Sequence, residues 1–208
     1  FLSAEDKNFF SHPGVDAKGV IRAVINNIKN IMTSKRLEGA STITQQVAKN
    51  FLLSSEVTFE RKIKEAILAI RIERAFSKKE ILELYLNEIY LGNNSYGIAA
   101  AALNYFDKSL DDLTIDEAAF LATLPKAPSK YNPKTNYERV LDRRNWVLYQ
   151  MYKNGYLTDN EKNKFQSRKI VLTKSSGLDD TSAPYFAEEV RRKMLKNFGF
   201  DALYEGGL

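Results

Sequence analysis

Cysteine is absent from the 208 residues, and histidine occurs once, at His12. Without cysteine there is no disulfide framework, no thiolate nucleophile and no cysteine metal site. One histidine cannot build a zinc cluster of the usual kind. Nor does any nucleophile elbow accompany it to make a Ser-His pair. Long apolar runs are missing too: none nears the roughly 18 residues that a helix needs to cross a bilayer. The chain starts without an initiator methionine or a leader-type segment, inside the hydrophobic phrase Phe1-Leu2-Ser3-Ala4, and reads as a piece of a longer protein.

What is present is ordinary globular composition, with 44% hydrophobic and 27% charged residues, enough to bury a full core. The net charge is +5, from 31 basic and 26 acidic residues. Such an excess suits phosphates, a lipid headgroup surface or nucleic acid, and equally a plain solvated surface. The basic residues are spread over the whole chain with no nucleic-acid motif, so no nucleic-acid partner is expected.

The periodicity predicts a mainly α fold. Residues 16–32 carry Val20, Ile21, Val24, Ile25, Ile28, Ile31 and Met32 at helical steps, decorated by Lys18, Arg22 and Lys29. On periodicity alone this segment is either core or an interfacial helix. A polar loop over 33–40 follows. Capping boxes mark four helix starts, at Thr42/Gln45, Ser77/Glu80, Thr114/Glu117 and Thr158/Glu161. A helix over 58–76 is apolar nearly all round past its first turns and is expected to be buried. Gly92-Asn93-Asn94-Ser95 reads as a turn, Gly97–Phe106 as a close-packing helix, and 137–154 as a helix ended by Gly155. Ile170-Val171-Leu172 is the one convincing strand, and residues 183–198 suggest a last amphipathic helix.

Two blocks carry chemistry. Glu5-Asp6 places a carboxylate pair beside Phe9 and Phe10, which would desolvate a general base and raise its pKa. In the second block Thr42, Gln45, Gln46 and Lys49 share one helix stripe, which is a solvated face or an anion-binding one. Glu65 stands where burial begins, one turn after Arg61. It is either functional or stapled to Arg61 at i,i+4. His12 reads as a structural hydrogen-bonder, Asp6 as orienting its loop, and Arg143 and Arg144 as supports of the fold.

Five ordered blocks resemble the peptidoglycan glycosyltransferase domain of class A penicillin-binding proteins and the monofunctional transglycosylases. They are Glu5-Asp6-x-x-Phe9-x-x-His12-x-Gly14, Gly39-x-Ser41-Thr42-Ile43-Thr44-Gln45-Gln46-x-x-Lys49-Asn50, Arg61-Lys62-x-x-Glu65, Lys78-x-x-Ile81-Leu82-x-x-Tyr85-Leu86-Asn87 and Arg143-Arg144-x-x-Val147-Leu148. The resemblance implies a lysozyme-like helical large lobe plus a small membrane-facing jaw, with residues 16–38 as the jaw. It places the glycosyltransferase domain at 1–168 and, at 169–208, an extension towards a linker and transpeptidase domain.

The implied reaction polymerises lipid II into glycan strands by inverting transfer from a polyprenyl-pyrophosphate-linked donor chain to an acceptor 4-hydroxyl. Glu5 aligns with the family's base and Glu65 with its second catalytic carboxylate. Arg22, Ser41, Thr42, Gln45, Gln46, Lys49, Arg61 and Lys62 fall on or beside its substrate-binding positions. The resemblance also implies Mg2+ or another divalent cation at the pyrophosphate, and moenomycin-type inhibitors. It implies a home on the outer face of the bacterial cytoplasmic membrane, through an anchor helix not contained in this chain. One departure stands out: Val57 occupies a position where the family commonly has arginine. The competing reading is a lysozyme-like hydrolase or lytic transglycosylase, which a carboxylate pair would also serve. Lys49 with Gln45 and Gln46 argues against it, since a cutting enzyme has no pyrophosphate to hold.

Overall fold

Local capping chemistry sets the frame of the molecule. In the computed structural model, which describes residues 1–32, 39–52 and 58–173, Ser77, Thr114 and Thr158 each close a reciprocal box with the glutamate three residues on. They open α5 (Lys78–Glu88), α7 (Ile115–Leu121) and α9 (Asp159–Gln166). Thr42 and Gln45 do the same for α3 (Ile43–Leu52), each backbone N–H meeting the other's side-chain oxygen at 3.0–3.1 Å. The remaining helices are α1 (Leu2–Glu5), α2 (Ala17–Met32), α4 (Phe59–Ala75), α6 (Gly97–Phe106) and α8 (Tyr137–Lys153), with short 3-10 turns at Phe9–Ser11 and Leu124–Lys126. The mainly α expectation holds. By contacts Phe1–Thr173 is one unit and Lys174–Leu208 another. Val57, most of the polar loop expected over 33–40 and the helix expected over 183–198 lie outside the described residues.

The main core joins α3, α5, α6 and α7 through Ile43, Val47, Ile81, Tyr85, Tyr105, Phe106 and Phe120, with Phe9 beneath them. Each such side chain, fully buried, contributes roughly 1.5–3 kcal/mol. Phe120 receives the edges or faces of Tyr105 and Phe106 at 5.2 and 5.5 Å. A second cluster, Ala119, Ala122, Val147, Leu148 and Leu157, binds α7 to α8. Gly97 lets α6 start against α5: at φ +78°, a Cβ there would stand 2.2 Å from the Asn87 carbonyl oxygen. The turn over Gly92–Ser95 closes a single antiparallel bridge between Tyr90 and Tyr96.

Two expectations fail. α4 is not buried all round. Its inward stripe is Arg61, Glu65 and Ala69 at i, i+4, i+8, whereas Ile63 and Ile67 are both 48% exposed. The ion pair is inside and the isoleucines outside, an inversion of the usual helix polarity that composition alone does not reveal. Ile170–Leu172 is not a strand: among the described residues no strand lies beside it to form a ladder. The segment is pinned instead by the Ile170 N–H on the Tyr137 hydroxyl and the Thr173 N–H on the Tyr105 carbonyl, both at 3.1 Å.

α2 stands apart from both clusters. Of its residues 17–30, only Gly19 and Ala23 are buried. Val20, Ile21, Val24, Ile25 and Ile28 are all exposed, which excludes the core reading of this segment. Among the described residues no helix is long and apolar enough to cross a membrane.

Candidate active site

A cleft of about 790 Å³ opens where the ends of α1, α2 and α3 face α8. Its lining includes Glu5, Asp6, Asp16, Arg22, Asn26, Ser41, Thr42 and Gln46, and from the far side Lys126, Arg143, Trp146 and Gln150. Glu5 is the last residue of α1, a single helical turn that packs on α8 and sets Phe1 against the Tyr85 ring. Across the cleft the Gln46 side-chain amide donates to Glu5 Oε2 at 3.1 Å. That bond fixes one carboxylate oxygen and leaves the other to accept a proton. Phe9 is buried in the core and Phe10 is 59% exposed, and neither lines the cleft. The two aromatics therefore do not form the desolvating wall expected for Glu5.

Asp6 is scaffold. Its carboxylate accepts from His12 Nε2 at 3.0 Å and from the Ile43 N–H at 3.0 Å. His12 Nδ1 accepts from the Gly14 N–H, so the proton sits on Nε2 and points at Asp6. Burial pushes the Asp6 carboxyl above its ordinary range, while the Ile43 and His12 hydrogen bonds pull the other way. Thr42 donates to the Gly14 carbonyl at 2.6 Å, closing the loop onto α3. The consequence reaches the site: the first turn of α3 already holds an anion, the Asp6 carboxylate, and the Ile43 and Gln45 amides are taken. The anion-ready helix start expected from sequence is occupied from within. Thr42 and Gln45 are both buried and bonded into the cap, although Thr42 still lines the cleft.

Two cationic routes reach the cleft from the side of α2 and α4. Asp16 caps α2, its Oδ1 accepting from the Gly19 N–H at 2.9 Å and its Oδ2 from Asn8 at 3.0 Å. These bonds, the Gly19 one first, hold its carboxyl below the usual range, and they aim the first turns of α2, with Arg22, at the cleft. On the other route, Glu65 is 1% exposed and takes Arg61 on one oxygen and Lys62 on the other, both at 2.5 Å. Lys62 also donates to Ser41 Oγ at 3.1 Å, so Glu65 meets the cleft through Lys62 and Ser41. Lys49, exposed, stands one turn beyond Gln46 on α3, outside the cleft lining.

Arg143, assigned to the fold by sequence, lines the cleft, whereas its neighbour Arg144 is fully buried. Sequence reading also passed over Trp146, Gln150 and Lys126. The available signal was the i, i+3, i+7 spacing of residues 143, 146 and 150, which puts them on one face of α8.

The family model described as Transglycosylase matches residues 1–152. Penicillin-binding protein 1A of Rickettsia felis is 51% identical, covering 100% of this chain and 26% of the relative. Penicillin-binding protein 1A of Aquifex aeolicus is 46% identical, covering 100% of this chain and 28% of the relative. A crystal structure of penicillin-binding protein 1A from Haemophilus influenzae aligns with TM-score 0.47 at 36% identity over 77% of this chain and 20% of that one. The chain spans about a quarter of the length of the curated relatives it matches. With a family model over residues 1–152 and relatives at this identity, the chain belongs to the transglycosylase family.

Proposed function

We propose that this chain polymerises lipid II into peptidoglycan glycan strands. The observation that carries the reading is Glu5, held by Gln46 in a cleft whose other polar groups include Arg22 and Ser41. The acceptor 4-hydroxyl attacks the anomeric carbon of the donor sugar. The C1–O4 bond forms, the C1–O bond to the pyrophosphate breaks, and the hydroxyl proton passes to the free oxygen of Glu5. A single displacement inverts the anomeric centre. The leaving group departs as polyprenyl pyrophosphate, whose charge is met by Arg22, Lys62 and the Ser41 hydroxyl, already in position. Gln46 orients the base. Glu65, with both oxygens on cations, positions Lys62 rather than moving a proton, and Lys49, one turn beyond Gln46, is a further cation for the pyrophosphate.

The described residues do not suit a protein-held divalent cation. They contain no group of three or more His, Asp or Glu with ligand geometry, and the cleft carboxylates Asp6 and Asp16 are committed to other bonds. A divalent cation at the pyrophosphate would be held chiefly by the substrate's own phosphate oxygens, and no step above is routed through one. The apolar face of α2 docks on the outer surface of the cytoplasmic membrane, where lipid II resides, and moenomycin-type inhibitors compete for the cleft.

Incubation of the chain with labelled lipid II in detergent tests the reading. A high-mass glycan that a muramidase digests, with β linkages from the α-linked donor, is the expected product. Release of soluble fragments from preformed glycan, with no polymer from lipid II, would replace it with the cleaving alternative.

A further inference from the structure

The two walls of the cleft are chemically unlike. On one side stand Arg22, Ser41 and Gln46, a set suited to phosphate oxygens. On the other, α8 presents Arg143, Trp146 and Gln150. Trp146 is the one tryptophan in the chain, and it is 39% exposed while its neighbours Val147 and Leu148 are fully buried. Its place in the lining of the cleft puts this partly exposed ring where a bound substrate would meet it. The Arg143 guanidinium carbon lies 3.8 Å from the Trp146 ring centroid, so the indole is backed by a stacked cation and held in one orientation. A rigid, partly exposed ring beside a planar side-chain amide can take the apolar C–H face of a pyranose while the amide meets its hydroxyl or acetamido groups.

We propose that Trp146, braced by Arg143 and assisted by Gln150, is a sugar platform that stacks an N-acetylhexosamine ring of the glycan. The inference rests on the glycosyltransferase reading above and adds a substrate-positioning residue to it. Trp146 touches neither proton nor pyrophosphate. It holds a neutral ring on the α8 wall of the cleft that Glu5 also lines, and contributes binding that is the same in the ground state and the transition state.

The sole tryptophan makes the test direct. The chain is titrated with tetra-N-acetylchitotetraose, a neutral β-linked oligosaccharide with neither lipid nor pyrophosphate, and indole fluorescence is followed. A saturable change is expected. By calorimetry, Trp146→Ala is expected to weaken the oligosaccharide about tenfold, and Trp146→Tyr to recover most of that loss. In lipid II polymerisation Trp146→Ala is expected to raise KM about tenfold with kcat little changed, the signature of lost ground-state binding, and with an unaltered melting temperature. Polymerisation with an unaltered KM in Trp146→Ala, and silent fluorescence in wild type, would overturn the platform while leaving the polymerase reading standing. A response to a muramyl peptide but not to the oligosaccharide would assign the ring to peptide and overturn it likewise. Trp146-dependent sugar binding without any polymer from lipid II would uphold the platform and overturn the polymerase reading.

Discussion

The Gln46 side-chain amide donates to Glu5 Oε2 at 3.1 Å, joining the first turn of the chain to a helix 41 residues on. The bond makes α3 the orienting element of a carboxylate carried by α1. Gln46→Ala removes the orientation but not the base. Its kcat for lipid II polymerisation should fall about ten- to a hundredfold. Folding should be little affected, since Gln46 is only half-buried. Wild-type kcat in steady-state assays of this variant would show that Glu5 needs no such support.

Glu65 is buried against Arg61, itself 8% exposed, and against the half-exposed Lys62. Glu65→Gln leaves the Arg61 charge buried without its counter-ion and should cost about 3–5 kcal/mol. A urea titration reads this as a lower midpoint. A stability within about 0.5 kcal/mol of wild type would mean that Arg61 finds water when its partner is removed.

On α2, Ile21 and Ile25 are 62% and 50% exposed. The double change Ile21→Asn, Ile25→Asn should leave the melting temperature unchanged, because little burial is lost. Partitioning onto vesicles of anionic phospholipid, measured by sedimentation, should fall at least tenfold. Unchanged partitioning would move the membrane contact to another surface.

The cap of α7 supplies a pH dependence. Burial alone would raise the Glu117 carboxyl, but the Lys108 ammonium, at 2.8 Å, and the Thr114 N–H, at 2.9 Å, outweigh it and hold the carboxyl below its usual value near 4.5. A carboxyl lowered by folding adds stability above the unfolded value and loses it as pH falls through the folded one. Glu117→Gln should therefore cost about 1 kcal/mol at neutral pH, and the difference should shrink as pH is lowered below about 4. A gap that stays constant in urea titrations across that range would show that the amide and the carboxylate cap equally.

Much of this architecture was legible because capping is local. Ser77/Glu80, Thr114/Glu117 and Thr158/Glu161 announce helix starts within four residues, and the structure forms all three boxes. Long-range arrangements were not legible. Nothing in the spacing of Ile63, Ile67 and Glu65 says which side of α4 faces inward, since only the packing of α3 and α5 decides it. Ile170–Leu172 has strand composition but no partner edge. Phe9 and Phe10 adjoin Glu5 in sequence, yet the 3-10 turn carries them away from the cleft. His12 has its partner six residues earlier, in Asp6, and that pairing needs the loop to close. Arg143 and Trp146 were recognisable as neighbours on one helix face, but not as lining the same cleft as Glu5.

The central claim is that Glu5 takes the proton of the attacking hydroxyl. Polymerisation of labelled lipid II by wild type and Glu5→Gln, at matched folded concentration, tests it most directly. The account predicts polymer from wild type and a loss of about 10²–10⁴-fold in the variant, with substrate binding retained. Polymer from Glu5→Gln at the wild-type rate would contradict it.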